Sequence, residues 1–148
     1  MLTRRSLILS AACLPFTRAV RAATPEVFAT HGIAIHGTDP VAYFRQSARV
    51  DGDAGFALVW RGAEWRFSSA ENRLAFEMDP SAYAPQYGGY CAYAMAQGAM
   101  APTVPEAWTV HEGKLYLNFS TGVRELWRQD IPGHVAAADD HWPRVIGG

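Results

Sequence analysis

The chain has 148 residues, of which 49% are hydrophobic and 18% charged, and it contains 5 tryptophans, 6 tyrosines and 7 phenylalanines. This composition is typical of one packed globular domain and excludes a largely disordered chain. The formal net charge of −1, without clusters of basic residues, argues against binding to nucleic acid or to an anionic membrane surface.

Residues 1–22 are predicted to be a cleaved export signal. Arg4 and Arg5 precede an apolar run from Leu7 to Phe16, which is shorter than the roughly 20 residues that span a bilayer. The segment ending at Ala22 offers the small or apolar residues that a signal peptidase reads. The paired arginines favour the twin-arginine route over an ordinary secretory signal. We therefore expect a bacterial periplasmic protein whose mature form has no membrane span.

Cleavage would change the charge and the thiol content of the chain. Removing four arginines and no acid from 13 basic and 14 acidic residues takes the formal net charge from −1 to −5. Cys13 would leave with the signal, so Cys91 would be the only thiol of the mature protein. We predict a linker over residues 23–32, one domain over residues 33–143 and a tail over residues 144–148.

The first predicted elements are a short strand over residues 33–36 and a helix that begins at Asp39 and Pro40. Asp39 is expected to cap this helix by accepting backbone amides, because Pro40 suits the first helical position. A hairpin follows, with strands over residues 56–60 and 64–67 joined by residues 61–63. The residues expected to face inward from this hairpin are Leu58, Trp60, Trp65 and Phe67.

Two short helices are predicted after the first hairpin. Ser68 and Glu71 have the spacing of a capping box, which predicts a helix that runs to about Met78. Asp79 and Pro80 start a further helical turn that ends near residue 83.

A second hairpin pairs residues 108–111 with residues 114–119. Its turn is Glu112 and Gly113, where glycine supplies the positive φ that a tight turn needs. Alternation along the second strand predicts two faces. One face carries Leu115, Leu117 and Phe119, and the other carries Tyr116 and Asn118.

The C-terminal part is predicted to be helical. Ser120 caps a helix on which Val123, Leu126 and Trp127 share a face. Pro132 interrupts this helix, and a last helix runs over residues 134–142 and stops before Pro143. Short antiparallel hairpins mixed with short helices predict an α+β domain, with a small antiparallel sheet packed against short helices.

Several motifs in this order resemble the YHS domain family, and in particular its stand-alone, exported branch. They are the D-P-V opening at residues 39–41, the pattern F-x-S…F-x-x-x-P-x-x-Y over residues 67–83, the segment 84–92, and the motifs at residues 113–118 and 142–143. The similarity covers residues 33–143. It implies a small α+β fold, and in some relatives it implies metal binding.

The chain departs from the metal-handling relatives at three positions. Those relatives carry cysteines where this chain has Ala42, Ser68 and Asn72. A hydroxyl and an amide do not replace thiolates as ligands of soft metals. The thiolate site of the family is therefore not expected here, and a metal site would need other residues.

Cys91 is the first candidate for such a site. If residues 90–96 are helical, Met95 lies four positions on and shares its face, and folding could add His36 or Met100. One thiolate with thioethers suits Cu(I). Two alternatives stay open: the methionines are core fillers around a small buried cysteine, or Cys91 is a nucleophile activated by a base such as His36 or His111.

The tyrosines and glycines around Cys91 predict a second kind of site. Gly88 and Gly89 either form a turn with positive φ or let another backbone or a ligand approach closely. The tyrosines either line an aromatic pocket or form a core in which they hydrogen-bond to backbone. The candidate binding residues are His36, Asp39, Tyr43, Tyr87, Gly88, Gly89 and Tyr90.

Patterns typical of catalysis are weak in this sequence. There is no G-x-S-x-G motif. Asp139 and Asp140 would point about 100° apart on a helix, which favours a solvated face over an acid–base pair. We therefore expect a non-catalytic module that binds or delivers a metal ion, with copper as the expected ion. The alternatives are a metal-free domain that binds a small molecule and a thiol-dependent redox protein that uses Cys91.

Overall fold

The computed structural model of the protein describes residues 15, 17, 19 and 22–148. The predicted export signal, residues 1–22, lies largely outside these residues and stays a prediction. In the described chain, helices pack with one four-stranded and one two-stranded sheet, which confirms the α+β class. Within the same residues, no helix combines the length and the apolar character needed to cross a membrane.

The larger sheet contains the first predicted hairpin. Its strands are β1 (Ala29–Thr30), β2 (Ile33–Ala34), β3 (Asp53–Trp60) and β4 (Ala63–Phe67), arranged in the order β1-β2-β4-β3. Strands β3 and β4 are antiparallel, and Arg61 and Gly62 between them have φ of +49° and +76°, as in a two-residue type I′ turn. Trp65 and Phe67 are buried, and the two inward residues predicted on β3 pack against the same core.

The predicted strand over residues 33–36 is shorter than expected. Strand β2 ends at Ala34, and residues 35–37 form a 3-10 turn in which His36 has φ of +58°. The amide of Thr38 closes this turn onto the carbonyl oxygen of Ile35 at 3.2 Å. Residues 23–32, predicted to be a linker, contribute β1 and the buried side chain of Val27.

Two aspartates begin helices as predicted. The Asp39 carboxylate accepts the backbone amides of Val41 and Ala42 at 2.9 and 3.2 Å, directly before α1 (Ala42–Arg45). The side chain of Asp79 accepts an amide from the first turn of α3 (Pro80–Tyr83). Both caps precede a proline that suits the start of a helix because it has no amide to satisfy.

The helix between them, α2 (Ala70–Met78), is capped one residue later than predicted. The hydroxyl of Ser69 accepts the amide of Asn72 at 3.1 Å. The predicted cap at Ser68 is wrong, because the Ser68 hydroxyl donates to the carboxylate of Asp39 at 2.7 Å. A long-range hydrogen bond to a buried carboxylate thus takes the place of a local cap.

The second predicted hairpin is also present. It consists of β5 (Trp108–His111) and β6 (Lys114–Leu117), which are antiparallel. Glu112 and Gly113 in its turn have φ of +49° and +75°. Strand β6 is followed by a stretch without regular structure, so Phe119 lies beyond the strand and is 51% exposed. The prediction that Phe119 continues the strand face of Leu115 and Leu117, which are both buried, is therefore wrong.

Two hydrophobic cores meet at this hairpin. The first core lies against the larger sheet and includes Tyr43, Trp65, Phe67, Phe76, Leu115 and Leu117. The second core includes Tyr87, Met95, Tyr116, Trp127 and Ala138, which come from the helical half and from β6. Successive residues of a strand point to opposite faces, so β6 supplies side chains to both cores.

The helical half contains α4 (Ala92–Ala96), α5 (Thr121–Arg128) and α6 (Ile131–Gly147). Ser120 caps α5 as predicted, and Trp127 is fully buried. Leu126, which was expected to share a helix face with Trp127, is 46% exposed.

Helix α6 is longer than predicted. Pro132 lies in the first turn of α6, two residues after the capping residue Asp130. The prediction that Pro132 interrupts a helix is therefore wrong, because a proline in the first turn helps to begin one. The helix also continues through Pro143, where a missing amide would favour an end. Trp142 and Val145 flank that proline and pack against the second core. This packing holds the last turn, which takes up most of the predicted tail over residues 144–148.

Candidate functional site

A cleft of about 360 Å³ lies where four parts of the chain meet. These are the N-terminal segment at Glu26, the turn of the first hairpin at Arg61, residues 81–88, and α6 at Asp139 and Trp142. Its volume falls in the range of roughly 300–1,000 Å³ that small-molecule sites occupy.

The wall formed by Tyr87 and Gly88 depends on an unusual backbone. Both residues have left-handed φ values, +57° and +62°. The carbonyl oxygen of Gly88 accepts the amide of Phe28 at 2.9 Å, and a Cβ atom at Gly88 would overlap the carbonyl oxygen of Glu26. The glycine therefore lets the N-terminal segment lie directly against residues 87–88, which closes one side of the cleft.

Four aromatic residues line the cleft. They are Trp60, Trp65, Tyr87 and Trp142. Trp65 is 1% exposed and its indole N–H donates to the carbonyl oxygen of Trp60 at 3.0 Å. The rings of Tyr87 and Trp142 meet edge to face, with centroids 6.1 Å apart. Packed rings with bound polar atoms make rigid walls, because few rotamers remain open to them.

A hydrogen bond fixes the polar end of Tyr87. Its hydroxyl donates to Oδ1 of Asp139 at 2.9 Å. Burial, together with this bond and the charge of Asp139, raises the pKa of Tyr87 well above its ordinary value. The hydroxyl therefore stays protonated at physiological pH and holds both side chains in place.

Three charged side chains line the cleft: Glu26, Arg61 and Asp139. The Arg61 guanidinium lies over the ring of Trp60, 4.5 Å from its centroid. None of the three forms an ion pair with another described residue. By contrast, Asp140 pairs with Arg144 on the solvent side of α6. Both aspartates are exposed, but Asp139 lines the cleft and Asp140 does not.

Among the predicted binding residues, Tyr87 and Gly88 line this cleft and the others do not. Tyr43 is 1% exposed, and its hydroxyl donates to the carbonyl oxygen of Pro105 at 2.7 Å. The hydroxyl of Tyr90 donates to the carbonyl oxygen of Pro25 at 3.1 Å. Gly89 has φ of +88°, and a Cβ there would lie 2.6 Å from the side chain of Ile35. Tyr43, Tyr90 and Gly89 therefore contact other parts of the protein and do not line the cleft.

Asp39 is fully buried and holds three parts of the chain together. Its Oδ1 accepts the two amides that begin α1. Its Oδ2 accepts the Ser68 amide at 2.8 Å, the Ser68 hydroxyl at 2.7 Å and the side-chain amide of Asn72 at 2.8 Å. Residues 42, 68 and 72, the three positions compared with cysteines of YHS domains in the sequence analysis, thus all donate to Asp39 here.

Cys91 is 1% exposed and its sulfur is enclosed by polar partners. The thiol lies 3.5 Å from Oδ1 of Asn118, to which it donates, and accepts the amide of Phe119 at 3.3 Å. Met95 is buried in the second core, and Met100 packs against that core. Both methionines therefore occupy the positions of core fillers.

His36 lies elsewhere on the surface. Its side chain is exposed, and Nε2 lies 2.9 Å from the carbonyl oxygen of Thr103. Within residues 15, 17, 19 and 22–148, no group of three or more His, Cys, Asp or Glu residues is placed to hold a metal ion. A copper site built from Cys91, Met95 and His36 stays a prediction.

Of the residues that line the cleft, Tyr87 and Gly88 were sequence candidates and the others were not. The others come from distant segments that carry no shared motif. The sequence predicted an exposed position for two of them, because it placed Arg61 in the turn of the first hairpin and Asp139 on a solvated helix face.

The comparisons with protein-family models, with curated proteins and with solved structures gave no match. The resemblance to YHS domains therefore remains a prediction from the motifs.

Proposed function

We propose that this protein is an exported, metal-free binding domain that holds a small organic molecule in the cleft between Tyr87 and Trp142. The observation that carries the proposal is a cleft of ligand size whose lining combines four aromatic residues with charged and polar ones. Apolar and aromatic walls with a few fixed polar groups are typical of small-molecule sites. The bond between Tyr87 and Asp139 supports the proposal, because it fixes a wall residue before any ligand arrives.

The cleft supports binding better than the thiol does. The walls combine burial on one side with access on the other, since Trp65 is buried while Arg61 is exposed. The sulfur of Cys91 is already engaged by two partners of its own chain, so a ligand would have to displace them.

The test is a binding screen followed by a pair of matched variants. Purified protein is screened against small organic molecules by thermal shift and by tryptophan fluorescence, which reports directly because three tryptophans line the cleft. Trp142→Leu should abolish binding of the compounds found. Trp108→Leu is the control, because Trp108 is also partly buried but packs against Tyr43 in the first core. Loss of binding in both variants or in neither would refute the cleft as the site.

A further inference from the structure

The charges inside the cleft do not balance. Glu26 and Asp139 carry two negative charges at neutral pH and Arg61 carries one positive charge, and none is paired within the described chain. The lining therefore has a formal charge of −1. All three residues are exposed, and a ligand with one positive charge would balance their formal charge.

Asp139 is positioned to receive such a charge. Its Oδ1 accepts the Tyr87 hydroxyl, while Oδ2 has no hydrogen-bond partner among the residues that the structure describes. The hydroxyl of Tyr87 is committed to this carboxylate and is a poor donor for an anion. At Asp139 the cleft thus offers an acceptor rather than a donor.

The aromatic rings already stabilise a cation. Arg61 lies 4.5 Å from the centroid of Trp60, within the distance at which a ring quadrupole attracts positive charge. Trp142 offers a second indole in the same cleft, on the same helix as Asp139 and three residues beyond it. Residues spaced by three lie on one helix face, so this indole and the carboxylate are neighbours.

We propose that the ligand of this cleft is a small organic cation, an alkyl- or arylalkylammonium compound. Its ammonium group would lie near the carboxylates of Asp139 and Glu26, and its carbon atoms would pack against Trp142 and Tyr87. Arg61 would stay over Trp60 at the rim. This inference rests on the proposed function and narrows it to one class of ligand.

Two matched series of probes test the charge preference. Choline is compared with its uncharged carbon analogue 3,3-dimethyl-1-butanol and with 3,3-dimethylbutyrate, and benzylammonium is compared with benzyl alcohol and benzoate. Calorimetry and tryptophan fluorescence at low ionic strength measure each affinity. At least one cation should bind about tenfold more tightly than its neutral analogue, or about 1.4 kcal/mol, and the anions should bind least. If neither cation exceeds its neutral analogue, the inference is overturned.

Variants that each remove one negative charge identify the carboxylates that cause the preference for a cation. Asp139→Asn keeps an acceptor for Tyr87 while removing the charge, and it should weaken cation binding about tenfold. Glu26→Gln should weaken it in the same direction. Asp140→Asn is the control, because it removes a neighbouring charge that faces solvent and pairs with Arg144, and it should leave the affinity unchanged. Equal losses in the Asp139 and Asp140 variants would overturn the inference, since only the net charge would then matter.

Arg61 distinguishes the cation from an acidic ligand. Arg61→Gln should leave cation binding unchanged or strengthen it, because a like charge leaves the cleft. Loss of all binding in this variant would assign the site to an anion and overturn the inference. Neutral or anionic compounds whose binding Trp142→Leu abolishes would overturn the cation preference and leave the binding function standing. If the protein binds none of the screened compounds, both the cation preference and the proposed binding function are refuted.

Discussion

At the scale of single residues, the environment of Cys91 agrees with one of the three alternatives that its sequence context left open. A lone thiol in a segment rich in tyrosine and glycine could be a metal ligand, a nucleophile or a small buried side chain. The fold gives the sulfur a donor and an acceptor of its own chain, the amide of Phe119 and the side chain of Asn118, and leaves it 1% exposed. This environment matches a structural cysteine.

Chemical modification of the thiol tests this environment. Because reagents reach the sulfur only when the surrounding structure opens, iodoacetamide should modify Cys91 of the folded protein at least about a hundredfold more slowly than in urea. Peptide mapping by mass spectrometry separates Cys91 from Cys13. Modification at the same rate in the folded and unfolded states would contradict the burial and revive the thiol-dependent alternative.

A second prediction at the scale of single residues concerns the substitution of Gly88. Gly88→Ala adds a methyl group that overlaps the Glu26 carbonyl oxygen at a positive φ. It should destabilise the fold by about 2 kcal/mol or more and release the N-terminal segment from the cleft. Urea unfolding measures the first effect, and hydrogen exchange at the Phe28 amide measures the second.

Gly113→Ala is the matched control for this substitution. Gly113 also has a positive φ, +75°, but a Cβ there would meet nothing within 4 Å. It should show the backbone strain alone, about 1 kcal/mol, with normal protection of Phe28. Equal destabilisation by both substitutions would show that contact with the N-terminal segment is unimportant.

At the scale of elements, Asp39 joins the start of α1 to the start of α2. One carboxylate oxygen caps the first helix and the other binds Ser68 and Asn72. A capping-box motif describes one helix at a time, so it assigned Ser68 to the local cap. The fold assigns Ser69 to that cap and uses Ser68 to connect two helices.

The two adjacent serines test this assignment. Ser69→Ala removes a surface cap and should lower the free energy of unfolding by about 1 kcal/mol. Ser68→Ala removes a hydrogen bond to a buried carboxylate and should lower it by about 2–3 kcal/mol. Glu71→Ala should have little effect, since the capping box that would use it is absent. Thermal or urea unfolding measures all three, and a loss from Glu71→Ala as large as that from Ser68→Ala would support the predicted capping box and contradict this assignment.

At the scale of the whole molecule, one strand couples two cores. Leu115 and Leu117 enter the sheet core, whereas Tyr116 enters the helical core and stacks on Trp127 with ring centroids 4.9 Å apart. Burial also raises the pKa of four tyrosines spread across both halves, residues 43, 87, 90 and 116, above the ordinary value of 10.0. The alkaline stability of the entire fold should reflect these groups.

Stability should therefore fall as the pH rises above about 10. In that range the unfolded chain loses phenolic protons that the folded chain keeps, so deprotonation favours unfolding. Urea unfolding between pH 8 and 11.5 measures the slope. Tyr43→Phe should make the slope shallower, by up to about 1.4 kcal/mol per pH unit, and Tyr87→Phe should change it in the same direction. Slopes identical to that of the parent protein in both variants would contradict this account.

Local patterns in the sequence determined most of the elements. Both hairpins, their glycine turns and the caps at Asp39, Asp79 and Ser120 follow from interactions within a few residues, and each of them is present. The α+β class follows from them. The longer α6 and the exposed Phe119 could not be predicted in the same way. Packing against distant segments decides where a helix ends and which face of a strand is buried.

The sequence alone also indicated that Gly88 and Gly89 would either adopt positive φ or let another backbone or a ligand approach closely, because glycine has no Cβ atom. Only the tertiary structure decided that Tyr87 and Gly88 would meet Glu26, Arg61, Asp139 and Trp142 around one cleft. The physical reason is that a cleft is made of contacts between segments far apart in the chain, and the periodicity of each segment carries no information about which others it will contact.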